Sequence, residues 1–168
     1  MAIRDPFRNF KFRVEVGGVE IGFRMVSGLK ETTEIIEYRE GGENETPRKI
    51  PGQTTFENVT LERGLCASGV DLLNWRQQIF SLDNPVTEHP PATDGASNLD
   101  FRRDVVIYLK NKSGEEVHQW TVIRAWPSEM EVGDLDASSN EVLVEKLVLA
   151  NEGIKSVRLA PGIGGPLT

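Results

Sequence analysis

The stretch "FKFRVEV", residues 10–16, alternates without a fault. Phe10, Phe12, Val14 and Val16 fall on one face, and Lys11, Arg13 and Glu15 on the other. Such a run separates its apolar from its polar side only as a β-strand, because a helix would spread the same residues around its circumference. Gly17-Gly18 follows, a two-residue hairpin signal. "VEIGFRM" then alternates again, with Val19, Ile21, Phe23 and Met25 expected inward. An isolated hairpin is marginal in water, so this opening commits the chain to more strands that cover its apolar face.

Further strands are legible. "ETTEIIEYR" is β-branched, with Ile35 on one face and Ile36 and Tyr38 on the other. Apolar residues on both faces call for burial on both sides, the second cover being expected from another subunit. "YREGGENETPRKIPG", residues 38–52, reads as a long charged loop, with Pro51-Gly52 as a turn back into the strand "QTTFENVTLER". "SGVDLLNWRQQIFS" changes period: Leu72, Leu73, Ile79 and Phe80 form one helical stripe, with Ser68 as N-cap and Asp71 three residues on. One helix among many strands is expected to plug an open end or edge of a sheet.

Residues 83–98 read as a long Pro-rich surface loop. "RDVVIYLK", with Val105, Ile107 and Leu109 on one face, and "VHQWTVIRAW", stopped by Pro127, form a second hairpin. "PSEMEVGDLDASSN" is a polar connector. "EVLVEKLVLAN" could stripe a helix with Leu143 and Leu147, but Val142, Val144 and Val148 alternate, so it is read as a strand. "GIKSVRLA" is a last short strand, and residues 161–168 a flexible tail. The expectation is a mainly β fold: an antiparallel β-sandwich or barrel of about eight strands with one flanking α-helix, spanning residues 1–168 as a single domain.

Composition removes several function classes. The net charge is −7 over 168 residues, which argues against specific nucleic-acid binding. No apolar run approaches the roughly 20 residues of a membrane helix. "MAIRDPFRNF" lacks the apolar stretch of a secretory signal, so synthesis in the cytoplasm without a signal peptide is expected. The one cysteine, Cys66, cannot form a disulfide within the chain and reads as a small buried hydrophobe. His89 and His118 are isolated, and no metal-ligand spacing, P-loop, dinucleotide turn or nucleophile elbow occurs. Glu40, Glu43, Glu45, Asp134 and Asp136 could supply a carboxylate pair, but 26 acidic residues guarantee pairs by chance. Neither an enzyme nor a cofactor or metal is expected.

What remains are features of interaction. Trp75, Trp120 and Trp126 are core or interface residues, and Trp126 with Pro127 is a candidate anchor between subunits. Closed rings of identical subunits use heterologous contacts, which consume sheet edges on both sides of each protomer. A loop bearing Glu40, Glu43 and Glu45, then Arg48 and Lys49, suits a contact that sets register.

In order, the pieces "F.VE..G", "F..VSGL", "EYREGG", "K.PG", "LERG", a helix with a Trp, "AWP", "DL.A" and "E.LVLANEGI" run across nearly the whole chain. Together they resemble the inner tube proteins of contractile phage tails and related injection systems. The resemblance implies two packed β-sheets with a flanking helix. It also implies hexameric rings whose sheets join around a lumen, stacked into a tube that sheath contraction drives through a target envelope. It implies that Glu37, Tyr38, Arg39, Glu40, Gly41, Gly42, Glu43, Glu45, Arg48, Lys49, Pro51 and Gly52 belong to the segment that reaches adjacent subunits. Arg63 is a candidate to pair with a neighbour's carboxylate, against an ordinary surface charge. The implied partners are further copies of the chain, a contractile sheath, baseplate, spike and tube-initiator proteins, and effector cargo in the lumen. The target envelope is met only by the assembled particle, a virion tail or tail-like device. Two other readings stay open: a β-sandwich binding module, for instance for carbohydrate, and a small acid-dependent hydrolase.

Overall fold

The structure, a computed structural model, describes residues 11–39, 41–42, 47–65, 70–83, 101–138 and 141–159. In chain order the elements are β1 (Phe12–Val16), β2 (Val19–Ile21), β3 (Met25–Ser27), β4 (Glu31–Tyr38), β5 (Arg48–Phe56), β6 (Val59–Gly64), α1 (Val70–Asp83), β7 (Arg103–Lys110), β8 (Glu116–Val132), β9 (Val144–Ala150) and β10 (Gly153–Arg158). Eight strands form one antiparallel sheet in the order β2-β1-β7-β8-β9-β6-β3, with β10 also on β8; β4 and β5 pair only with each other. The expected mainly β architecture with one helix is what the chain adopts.

Strand β8 is the hub. One edge pairs with β7 from Glu116 to Ala125. The other pairs with β10 from His118 to Ile123, then with β9 from Trp126 to Val132. Between the two halves Arg124 takes φ 49°, which turns the strand and divides the sheet into two faces around one core. The ends of the path, β2 and β3, are joined by residues 22–24 alone, so the sheet curls back on itself. Phe23 lies in that seam, packed against the core.

The seam explains one departure from expectation. "VEIGFRM" is not a single strand, because its two halves serve opposite ends of the sheet: β2 pairs with β1, and β3 with β6. Val19 and Met25 are exposed rather than inward. "QTTFENVTLER" also breaks, at Glu57 and Asn58, into β5 and β6. Pro127 does not stop its strand. It sits at a β-bulge between Pro127 and Glu129, where a missing N–H costs no ladder bond, and β8 continues to Val132. The strand therefore takes up the start of the expected polar connector.

The core comes from Val14 and Val16 of β1, Val59 and Leu61 of β6, Val105 and Ile107 of β7, Val122 and Ala125 of β8, and Leu147 and Leu149 of β9. Helix α1 closes it with Leu72 and Trp75, one turn apart, rather than with Leu72 and Leu73; Leu73 is exposed. Trp75 sets that face, its Nε1 donating to the Phe101 carbonyl at 2.6 Å. Arg76 Nη1 donates to the Pro127 carbonyl at 3.1 Å, on the stretch of β8 beyond the last β7 pair. The helix thus covers a sheet edge, as expected. The Pro-rich loop, the C-terminal tail, Phe10, Cys66, Ser68, the side chains of Asp71 and Phe80, and His89 lie outside the described residues.

Candidate subunit-contact surface

The hairpin β4–β5 leaves the body at a fixed base. Gly28 takes φ +83°, and a Cβ there would collide with the Asn58 carbonyl oxygen, so no other residue fits. Lys30 N donates to Gly28 O at 2.8 Å, and Glu57 N to Lys30 O at 3.0 Å. The Lys30 ammonium pairs with the Glu57 carboxylate, and Asn151 Nδ2 donates to Glu57 O at 2.9 Å. The two ends of the hairpin are therefore clamped together against the β9–β10 link.

Beyond the clamp the hairpin is an arm. Thr32↔Thr55 and Thr33↔Thr54 pair first, with Thr33 Oγ1 2.9 Å from Thr54 Oγ1. A bulge follows, then Ile35↔Pro51, Ile36↔Ile50, Glu37↔Lys49 and Tyr38↔Arg48. At the bulge a Cβ on Gly52 would stand 3.1 Å from Ile36 Cγ1 and 3.2 Å from Glu34 O, so the backbones approach closely there. The expected loop is thus mostly ribbon. Arg48–Phe56 is strand, and Pro51-Gly52 is a bulge rather than a turn. Glu40, Glu43 and Glu45 lie outside the described residues, while Arg39, Gly41 and Gly42 are exposed beside the tip.

Every residue of β4 is exposed. Ile35 (63%) stands on one face of the ribbon, and Ile36 (50%), Tyr38 (49%) and Ile50 (46%) on the other. Cross-strand pairing fixes the ribbon's shape, but nothing among the described residues covers either face. This is the two-sided apolar pattern read from the sequence, now placed on a projecting element.

Three other candidates lie elsewhere. Arg63 is inside its own subunit: it faces Glu145 across β6 and β9, Nε to Oε2 at 2.7 Å, with both side chains buried. Its carboxylate partner is thus in the same chain. Pro127 is fully buried, and half-buried Trp126 makes an edge-to-face contact with Phe101, ring centroids 6.0 Å apart. Leu135 and Val142 are 83% and 76% exposed in the β8–β9 connection. Val142 reads as part of a strand, but β9 begins only at Val144, and Leu135 stands in the polar connector without a periodic signal.

The described residues hold no group of three or more His, Cys, Asp and Glu arranged around a common point. His118 Nε2 lies 2.7 Å from Ser156 Oγ; burial, and after it the charge of Arg158, lowers the imidazole pKa. Asp136 is held below the usual carboxylate range by the side-chain hydroxyl and backbone N–H of Ser138. No helix among the described residues is long and apolar enough to cross a membrane.

The family model for the T4-like virus tail tube protein gp19 matches residues 8–155. Among solved structures, the chain is similar to one in the sheath–tube complex of an extracellular contractile injection system, PVC, in its extended state. That match has 28% identity over 92% of this chain and 93% of the other, with a TM-score of 0.70. A chain in the tube-terminating cap of the anti-feeding prophage matches with 26% identity over 95% of both chains and a TM-score of 0.75. One in the anti-feeding prophage baseplate matches with 29% identity over 92% of this chain and 97% of the other, with a TM-score of 0.67. No curated protein sequence matches the chain.

Proposed function

Since this chain belongs to the T4-like virus tail tube protein gp19 family and is a tube protein of the contractile injection kind, we propose that it builds hexameric rings that stack into a hollow tube. A contractile sheath surrounds that tube, a baseplate starts it, and contraction drives it through a target envelope. The protein breaks no bond in this role. It serves as conduit and projectile, and effector cargo would travel in its lumen. It works inside an assembled virion tail or tail-like particle.

The observation that carries the reading is the arm. Strands β4 and β5 offer Ile35 on one face and Ile36, Tyr38 and Ile50 on the other, with no cover from the other described residues. A ribbon that is apolar on both sides is explained by insertion between two neighbours. Glu37, Arg39, Arg48 and Lys49 around it supply mixed charge that sets register with those neighbours. Trp126 and Pro127 act here only through the body that holds the arm.

The test is assembly. Electron microscopy and sedimentation of the purified protein should show rings or tubes. Ile36→Ser combined with Ile50→Ser should leave a folded chain, its stability changed by about 0.5 kcal/mol or less because both sites are exposed, and should abolish rings. Rings formed as readily by the double variant would remove the arm from the contact. A wild-type chain that stays monomeric at high concentration would overturn the reading itself.

A further inference from the structure

The inward face of the sheet stays apolar past the point where the core stops. Across β6, β9 and β8 it runs from the row Leu61, Leu147 and Met130, which packs in or against the core, to the row Arg63, Glu145 and Val132. Arg63 and Glu145 are buried, yet Val132 beside them is exposed. Beyond the ion pair apolar residues resume. Leu65 N donates to Leu143 O at 2.9 Å, and a Cβ on Gly64 would stand 3.4 Å from Val142 Cγ1. Leu135 and Val142 line one cavity of about 440 Å³. Leu65, Val132, Leu135 and Val142 thus form an exposed apolar rim at the end of β8.

The rim is also negative. Residues 125–145 hold six carboxylates and neither lysine nor arginine. Arg63 answers Glu145, Lys146 answers Glu131, and Glu141 has a partner of its own. Asp134, on the cavity wall, has no ion pair among the described residues. A segment that covers this rim must therefore be apolar and basic. Residues 1–10, "MAIRDPFRNF", have that chemistry: Ile3 and Phe7 are each followed by an arginine, Arg4 and Arg8, and the only acid is Asp5. Every other stretch outside the described residues lacks both lysine and arginine. The segment leads into β1 at Phe12, which pairs with Leu109 beside the β7–β8 turn, whereas the rim lies at the other end of β8.

We propose that residues 1–10 of one copy dock on the rim of the next. Ile3 and Phe7 cover Leu135 and Val142, and Arg4 and Arg8 face the carboxylates around Asp134. The contact is heterologous, so each copy offers one segment and one rim, and the contact propagates. It rests on the tube reading, which supplies the next copy, and adds a strap to assemblies that the arm begins.

Photocrosslinking of the full-length protein tests it. A chain with benzoylphenylalanine in place of Phe7 is assembled with isotopically heavy wild type and irradiated. Trypsin releases residues 125–146 as one peptide, since no lysine or arginine interrupts them before Lys146. Crosslinks to that peptide should carry heavy and light label alike. Arg4→Glu combined with Arg8→Glu should cut their yield about tenfold, and Asp134→Lys about threefold, with the melting temperature unchanged. Raising NaCl from about 50 mM to about 500 mM should also lower the yield, as exposed ion pairs are screened. Crosslinks in light peptide alone would place the segment on its own chain and overturn the proposal. Crosslinks that miss residues 125–146, or a yield indifferent to the charge reversals, would overturn it too, and rings and tubes formed in the same samples would leave the tube reading in place. Absence of rings and tubes in the wild type is the separate result that removes the tube reading and this contact with it.

Discussion

At the scale of single residues, two sites carry the architecture. Arg124 holds a left-handed backbone at φ 49°, a conformation that costs an L-residue about 1–2 kcal/mol. Its N–H donates to Asp104 Oδ1 at 2.8 Å, and its Nε lies 3.0 Å from Glu152 Oε2. Replacing Arg124 by Gly or by Val removes the same ion pair, so the difference between them reports the backbone strain, less the greater chain entropy that Gly loses on folding. Chemical denaturation should find the Gly variant more stable than the Val variant by roughly 2 kcal/mol. The second site is the buried pair Arg63–Glu145. Arg63→Met leaves Glu145 buried without its partner and should cost about 3–5 kcal/mol, whereas adding Glu145→Leu should recover most of that loss. A double variant as unstable as the single would show that the pair stabilises the fold beyond mutual compensation. Arg124 was not legible in the sequence. Arg63 was expected to pair with a carboxylate, but with a neighbour's, because Glu145 lies across a strand pairing that no local pattern specifies.

At the scale of elements, strands with one wet face read well and irregular ones did not. β1 and β7 alternate because their outer faces meet water, and period two survives in such strands. β9 reads less plainly, since Glu145 occupies an inward position and breaks the apolar series. The break at Glu57 and Asn58 was invisible because the cause is the clamp to Lys30 and Asn151, made by residues distant in sequence. Pro127 misled for a related reason: proline ends a strand unless a bulge relieves it, and the bulge depends on β9. The two-sided apolar pattern of the arm was legible, but its extent was not, because charged tip residues in a ribbon look like a loop. The clamp carries its own prediction. Gly28→Ala should disturb the link between β3 and the arm, lowering stability by about 1–3 kcal/mol. Melting curves should show this loss, and limited proteolysis should cut faster between residues 28 and 57. An unaltered cleavage pattern would show that the base is not held by Gly28.

For the whole molecule, body and arm are separable in energetic terms. Among the described residues the core draws on β1, β6, β7, β8, β9 and α1, with no side chain from β4 or β5. Lys30 O and Glu57 N already meet at 3.0 Å. Deleting residues 31–56 and joining the ends through a short Gly-containing turn should therefore leave the body folded, with circular dichroism retaining its β signal and cooperative melting. The same chain should stay monomeric under conditions where the wild type assembles. Loss of cooperative melting would show that the arm supports the body. The order of the sheet has a further consequence, in time. β1 finds its second neighbour only in β7, and β6 only in β9, so the body cannot close until residues beyond 103 have been made. At about 5–20 residues per second, the arm leaves the ribosome several seconds before the sheet that will anchor it. A chain released early presents an arm with no foundation, because the strands that hold its base, β8 and β9, have not yet been made.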